Sequence, residues 1–248
     1  MLNKDQLTIV IPARYSSSRL PGKVLEVIHG YPMIYWTYQR ACMADIGQVV
    51  IAADDAVVFR VLDKFKIPYI ETSQSCLNGT ERIAEVATRI PAAMFFMNVQ
   101  GDEPLLNPQT ILDVYRDGLD AGCFKTAISK IDLGNNSSEV KVAISYENRI
   151  RYASRSPIPF ARIGQQDFYK IHGVYTYSKE TLYKFNECHP GPLELMESVE
   201  QLRCIEHDIP LIGVKAAHTE RSVDTLDDLV YMRSRPEKEF REWIKNDN

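Results

Sequence analysis

Four short apolar runs, at residues 7–11, 49–53, 67–70 and 94–99, are separated by stretches whose apolar residues recur at helical spacing. Such alternation calls for a parallel sheet with right-handed crossover helices, since parallel neighbours cannot be joined by a tight turn. Leu7-Thr8-Ile9-Val10-Ile11 has the β-branched content and length of a buried strand, and Pro12 is expected to stop it. Residues 94–99 are the most apolar run and are expected at the centre of the sheet. Helices are expected over 32–44, from Asp54-Asp55 to residue 66, from Gly79-Thr80 to 90 with Thr80 as the cap, and over 108–120.

The pattern changes at residue 124. Between 124 and 177, strands at 125–131, 140–146 and 169–177 alternate with turns, and no good helix lies between them. This stretch reads as a small mixed or antiparallel arm inserted in a single domain spanning 1–248, and such an arm suits a homodimer interface. Helices at 179–185, 198–207 and 225–233 and a strand at 211–216 follow, and the charged end, 236–248, is expected to fray. The fold class is α/β: a Rossmann-like, mainly parallel sheet with helices on both faces and a strand-rich extension.

Open sheets of this kind bind ligands beyond the carboxyl ends of their strands. Past the first strand, Arg14, Arg19 and Lys23 place three positive charges around one loop that turns at Pro21-Gly22, an arrangement suited to a polyanion. It is not a P-loop, because Ser17 and Val24 stand where that motif needs Gly and Ser or Thr, and there is no G-x-G-x-x-G. After the most apolar run comes Gln100-Gly101-Asp102-Glu103-Pro104, where Pro104 forbids an immediate helix and leaves both acids on an open loop. Asp102 and Asp224 are the candidates for a divalent ion. Their hard oxygens suit magnesium, which takes one or two carboxylates and completes its shell with phosphate and water. Taken alone, the same residues also fit a Gly-Asp turn and a helix start.

A net charge of -4 argues against a nucleic-acid groove or an anionic-membrane surface. With no secretory leader and no apolar stretch of membrane-spanning length, the chain is expected in the cytoplasm. Its five cysteines are scattered without a C-x-x-C, so they read as reduced thiols, and its five histidines form no zinc motif.

Ile11-Pro12-Ala13-Arg14, Arg19-Leu20-Pro21-Gly22-Lys23 and Tyr31-Pro32-Met33-Ile34 resemble the signature of the CMP-Kdo synthetases, cytidylyltransferases that activate 3-deoxy-manno-octulosonate (Kdo). The resemblance continues in Asn78-Gly79-Thr80-Glu81-Arg82, Asn98-Val99-Gln100-Gly101-Asp102-Glu103-Pro104, Ser154-Arg155, Glu200-Gln201-Leu202-Arg203 and Val223-Asp224-Thr225, and so covers nearly the whole chain. It implies a nucleotidyltransferase fold, magnesium, and attack by the anomeric hydroxyl of a 2-keto-3-deoxy sugar acid on the α-phosphorus of CTP, giving a CMP-sugar for lipopolysaccharide biosynthesis. It assigns catalytic roles to Arg14, Lys23, Asp102 and Asp224, the two aspartates as metal ligands. It puts Ala13, Arg14, Arg19, Lys23, Asp54, Gly79, Arg82 and Gln100 on the nucleotide, and Arg162, His172, Tyr175, Glu200 and Gln201 on the acceptor. An arginine for a carboxylate and a His/Tyr/Glu/Gln set for hydroxyls is what a polyol acid requires.

The chain departs from the family pattern at 72–78, which lacks an arginine and a histidine and so bears on base recognition. Ser198-Val199 stands where a bulkier, wholly apolar pair precedes Glu200. A smaller, partly polar wall beside a carboxylate suits an acceptor with a protonated amine, such as the 8-amino analogue of Kdo. The alternatives are a nucleotidyltransferase for another acceptor, such as a nonulosonic acid, and a non-catalytic nucleotide sensor; the intact Arg14, Lys23, Asp102 and Asp224 weigh against the sensor.

Overall fold

The computed structural model describes residues 4–16, 20–132, 136–162, 167–218 and 221–242. The chain begins with β1 (Leu7–Ala13), the small hairpin β2 (Val27–Ile28) and β3 (Tyr31–Pro32), and α1 (Met33–Met43). It continues through β4 (Gln48–Ala53), α2 (Ala56–Phe65), β5 (Tyr69–Glu71), α3 (Gly79–Arg89), β6 (Phe95–Val99) and α4 (Pro108–Arg116). Four strands come next, β7 (Phe124–Ile131), β8 (Lys141–Ile144), β9 (Ile150–Ser154) and β10 (Phe168–Ser178), then α5 (Lys179–Glu187), α6 (Pro192–Glu197) and α7 (Leu202–Glu206). The described chain closes with β11 (Leu211–Lys215), α8 (Leu226–Ser234) and α9 (Glu237–Arg241).

The main sheet runs β11-β7-β10-β6-β1-β4-β5. β1 is parallel to β4 and β6, β4 to β5, and β11 to β7, while β10 enters antiparallel to both β6 and β7. The pleat of β1 explains why every residue on it is apolar or buried: Ile9 and Ile11 pack with α1, α2 and α4, and Val10 with α3, α5 and α7 on the other face. β6 lies at the middle of this path, as its composition predicts.

Several expectations are corrected. β1 runs on through Pro12 to Ala13; its ladder with β6 ends at Val10↔Asn98, so the proline falls where only β4 remains alongside. The cap of α3 is Asn78, whose side chain accepts the Glu81 N–H at 2.9 Å, and Thr80 lies inside the helix. The helix expected over 198–207 is broken, because Ser198 adopts φ 52°, a left-handed conformation that terminates α6. In the 124–177 stretch, β7 and β10 are members of the main sheet, and only the β8–β9 ribbon extends from it, through the pairs Tyr169↔Val142 and Lys170↔Lys141. The charged end is docked as far as residue 242: Phe240 is buried against Trp36, and Arg40 donates to the carbonyls of Glu239 and Glu242. Residues 243–248 lie outside the described residues. No helix among the described residues is long and apolar enough to cross a membrane.

Candidate active site

Beyond the carboxyl ends of β1 and β6 the connecting loops open a cavity of about 1170 Å³, closed on its far side by β10 and the turn at 198–201. It occupies the crevice that open α/β sheets use for ligands. Arg14, Gly79, Gln100, Asp102, His172, Tyr175, Glu200, Gln201 and Asp224 all line it.

Its most charged corner is made by three loops. Lys23 does not itself line the cavity, but it extends its ammonium to 2.5 Å from Asp102 and 3.5 Å from Asp224, which do. Burial pulls the lysine pKa down, and the two carboxylates more than offset it, so the net shift is upward. The Asp224 loop is held in place because the Val223 N–H donates to the Asp102 carbonyl at 2.9 Å. Asp228 fixes the other side, accepting the N–H groups of Asp224 and Thr225 at 3.1 and 2.9 Å while Thr225 caps α8 in a capping box. The described residues hold no cluster of three or more His, Cys, Asp or Glu able to bind a metal. Two carboxylates already facing one cation nevertheless fit magnesium, which would draw its remaining ligands from phosphate and water.

On the nucleotide side, Arg14 is exposed at the end of β1 and donates to the Leu77 carbonyl at 3.0 Å, tying the basic loop to the loop before α3. Gly79 sits in a close approach: a Cβ there would lie 3.1 Å from the Gln100 amide nitrogen and 3.3 Å from Pro12, so those side chains would have to shift by a few tenths of an ångström. Gln100 is held through its backbone N–H, which donates to Gly173 at 2.8 Å. Arg82 and Asp54 stand apart from this group. They form a buried pair at 2.6 Å, and Arg82 also donates to Thr72 and Ser73, so both residues brace the 72–78 loop without lining the cavity. Ala13 is buried at the strand end, and Arg19 lies outside the described residues.

The acceptor-side wall is β10 and the turn after α6. His172 is buried, with its Nε2 2.6 Å from the Ser129 hydroxyl; burial, then the nearby Lys170, lowers its pKa to about 3, so the ring is neutral. Burial also pushes the Tyr175 hydroxyl well up, with Glu200 and Glu103 adding to the effect, and the hydroxyl is hydrogen-bonded to Gln201. Glu200 accepts the Thr80 N–H at 3.3 Å. Burial raises its carboxyl to about 7 against the partial opposition of Thr80. Arg162 is exposed and does not line the cavity.

Four contributors escape sequence reasoning as site residues. Ser129 meets His172 from the neighbouring strand; its register partner is Lys170, and His172 reaches it from the irregular part of the β7–β10 ladder. Glu103 accepts the Gly173 N–H at 2.8 Å and locks the Gln100–Glu103 loop to β10. Arg155 gathers the carbonyls of Glu197, Ser137 and Ser198 at 2.8, 2.9 and 3.1 Å, holding the cavity rim. Arg221 lines the cavity beside Asp224 and is paired with Asp228 at 2.6 Å. Arg155 had a signal in the Ser-Arg motif and Glu103 in the Gln100–Pro104 loop; Ser129 and Arg221 had none.

A family model described as Cytidylyltransferase matches residues 8–213. A 3-deoxy-manno-octulosonate cytidylyltransferase of Lawsonia intracellularis is 38% identical over 228 residues, covering 89% of this chain and 90% of that protein. Among solved structures, a CMP:2-keto-3-deoxy-manno-octonic acid synthetase complexed with CTP superposes with TM-score 0.84 and 33% identity, covering 92% of this chain and 97% of that one. The inositol-1-phosphate CTP transferase from T. maritima matches at TM-score 0.66 over 98% of both chains but only 16% identity, a likeness of fold alone.

Proposed function

The chain belongs to the cytidylyltransferase family, and we propose that it activates 3-deoxy-manno-octulosonate with CTP, forming the CMP-sugar and pyrophosphate. The anomeric oxygen attacks the α-phosphorus, the bond from that phosphorus to the bridging oxygen of pyrophosphate breaks, and the hydroxyl proton is released. The observation that carries the reading is the corner where Lys23 meets Asp102 and Asp224, facing a wall of Tyr175, His172, Glu200 and Gln201 across one cavity.

Arg14 and Lys23 are suited to neutralising the triphosphate as it enters. Neutral His172, Tyr175, Gln201 and Glu200 offer both donors and acceptors, which lets them orient a polyol rather than merely attract it. Magnesium held by Asp102 and Asp224 would supply charge neutralisation at the phosphoryl oxygens and lower the pKa of the attacking hydroxyl. The enzyme is proposed to act as a homodimer in the cytoplasm, feeding lipopolysaccharide synthesis. Within the acceptor class, exposed Ser198 on the cavity wall favours the 8-amino analogue of Kdo. The test is to incubate the protein with each nucleoside triphosphate, magnesium and a panel of keto-acid sugars and weigh the product. No CMP-sugar from CTP and either Kdo or its 8-amino analogue would overturn the reading.

A further inference from the structure

Arg203 lies outside every role assigned so far, yet three segments converge on it: α3, α6, and α5 with its cap. Its side chain is 1% exposed. Nε and Nη2 donate to the two oxygens of Glu194 on α6, both at 2.7 Å, in the parallel fork geometry that gives the strongest arginine–carboxylate contact. Nη1 donates to Glu81 on α3 at 3.0 Å and to the carbonyl of Cys188 at 3.4 Å, while the guanidinium stacks 4.5 Å from the Phe185 ring of α5.

Glu81 is the informative partner. As the third residue of α3 it accepts the Leu77 N–H at 2.8 Å and is approached by the Asn78 amide at 3.3 Å, so it shapes the loop that enters the helix. The carbonyl of that same Leu77 receives Arg14. A continuous path therefore runs from Arg14 through Leu77 and Glu81 to Arg203 and Glu194. Three residues before Arg203, Glu200 accepts the Thr80 N–H at 3.3 Å, so the start of α3 and the 200–203 segment are joined at two adjacent points.

We infer that Arg203 is a positioning residue, a buried strut that fixes the distance between the loop at Arg14–Leu77 and the wall at Glu200–Gln201. What these two walls hold, nucleotide and acceptor, rests on the reading above; the strut itself does not. A bond-forming reaction between two bound substrates is sensitive to that distance, since a displacement of about 1 Å can cost a hundredfold in rate. Lysine in place of Arg203 keeps the charge but cannot span Glu194 and Glu81 with a fork.

The experiment takes the full chain with Arg203→Lys, and Glu81→Gln as a second variant that keeps an acceptor for Leu77 but weakens the tie. Amide hydrogen exchange is followed together with kcat and both KM values, normalised to CTP-binding sites. The expected result is exchange at Leu77 and Thr80 faster by about tenfold with α1 unaffected, and kcat lower by roughly ten- to a hundredfold with KM for CTP little changed. A purely structural role would instead lower the binding-site fraction or loosen the whole molecule, leaving kcat per site intact. Unchanged exchange at Leu77 and Thr80 in both variants, or kcat per site within about twofold of wild type, overturns the inference. If wild type itself forms no CMP-sugar, the functional reading fails and the exchange result alone decides the strut.

Discussion

Lys23 and Asp102 form a 2.5 Å ion pair in which the side chains are only 13% and 21% exposed, and the same ammonium reaches Asp224. The pair places a cation where a magnesium ion would need the same two carboxylates. Lys23→Met is therefore expected to bind manganese, used as a spectroscopic stand-in, at least about tenfold more tightly in the absence of nucleotide, because a unit charge at this distance has been removed. Its turnover is expected to fall. Titration monitored by the signal of free manganese checks this, and affinity equal to wild type would show that Lys23 and the metal do not share the carboxylates.

Asp102→Asn keeps the shape of the loop and removes one hard anionic ligand. Turnover is expected to drop by roughly a thousandfold, while CTP binding measured without metal stays close to wild type. A variant within a few-fold of wild-type turnover sinks the metal role of Asp102.

Glu200 gives a pH-dependent stability signature. Its folded pKa, about 7, lies above the ordinary value of 4.5 because of burial, so the native state holds its proton more tightly than the unfolded chain does. The favourable contribution is complete below the unfolded pKa and is lost as pH rises through about 7. Glu200→Gln should then be the more stable protein at pH 8, by an amount on the order of 3 kcal/mol at most, with the advantage shrinking toward pH 5. Thermal melts of both proteins across that range test it; curves that stay parallel refute the buried-carboxyl account.

The parallel core was legible because the pleat and crossover rules act on local runs: Ile9, Val10 and Ile11, then Ile51, Ala52 and Ala53, then Phe95, Phe96 and Met97 are consecutive buried apolar residues, and only a sheet covered on both sides hides them. Lys23, Asp102 and Asp224 were legible as a charge set, but their meeting was not. It depends on the Val223–Asp102 hydrogen bond between loops far apart in sequence. The break at Ser198 was missed because no Gly or Pro marks it. A serine there takes a left-handed conformation, which helical spacing alone does not forecast. Asp54 and Arg82 fit the family pattern, yet tertiary packing joins them to each other, and Ser129 was unreadable until the irregular β7–β10 ladder was known.

The strand-rich stretch from 124 to 177 is proposed as a homodimer interface; its β8–β9 ribbon joins the main sheet through β10, with Val142, Ile150 and Ala153 buried in the core. Sedimentation equilibrium at micromolar protein should give twice the chain mass of 28.3 kDa. A single species at the chain mass would reject the dimer.

Ser198 bears on which sugar is activated. Because 198–201 is a turn and not a helix, Ser198 and Glu200 both face the cavity, although on one helix two such residues would point apart. The Ser198 carbonyl is fixed by Arg155 at 3.1 Å, so the residue is held at the wall. A small side chain there leaves room beside a carboxylate, and a protonated amine would gain a charge-assisted hydrogen bond that a hydroxyl does not. The 8-amino analogue of Kdo is expected to exceed Kdo in kcat/KM by roughly ten- to a hundredfold. Ser198→Met should erase most of that preference, and Ser198→Ala, which removes the hydroxyl without adding bulk, separates polarity from size. Equal kcat/KM for the two acceptors in wild type would reject the idea. An unchanged preference in Ser198→Met would move its cause to Glu200 and the rest of the wall.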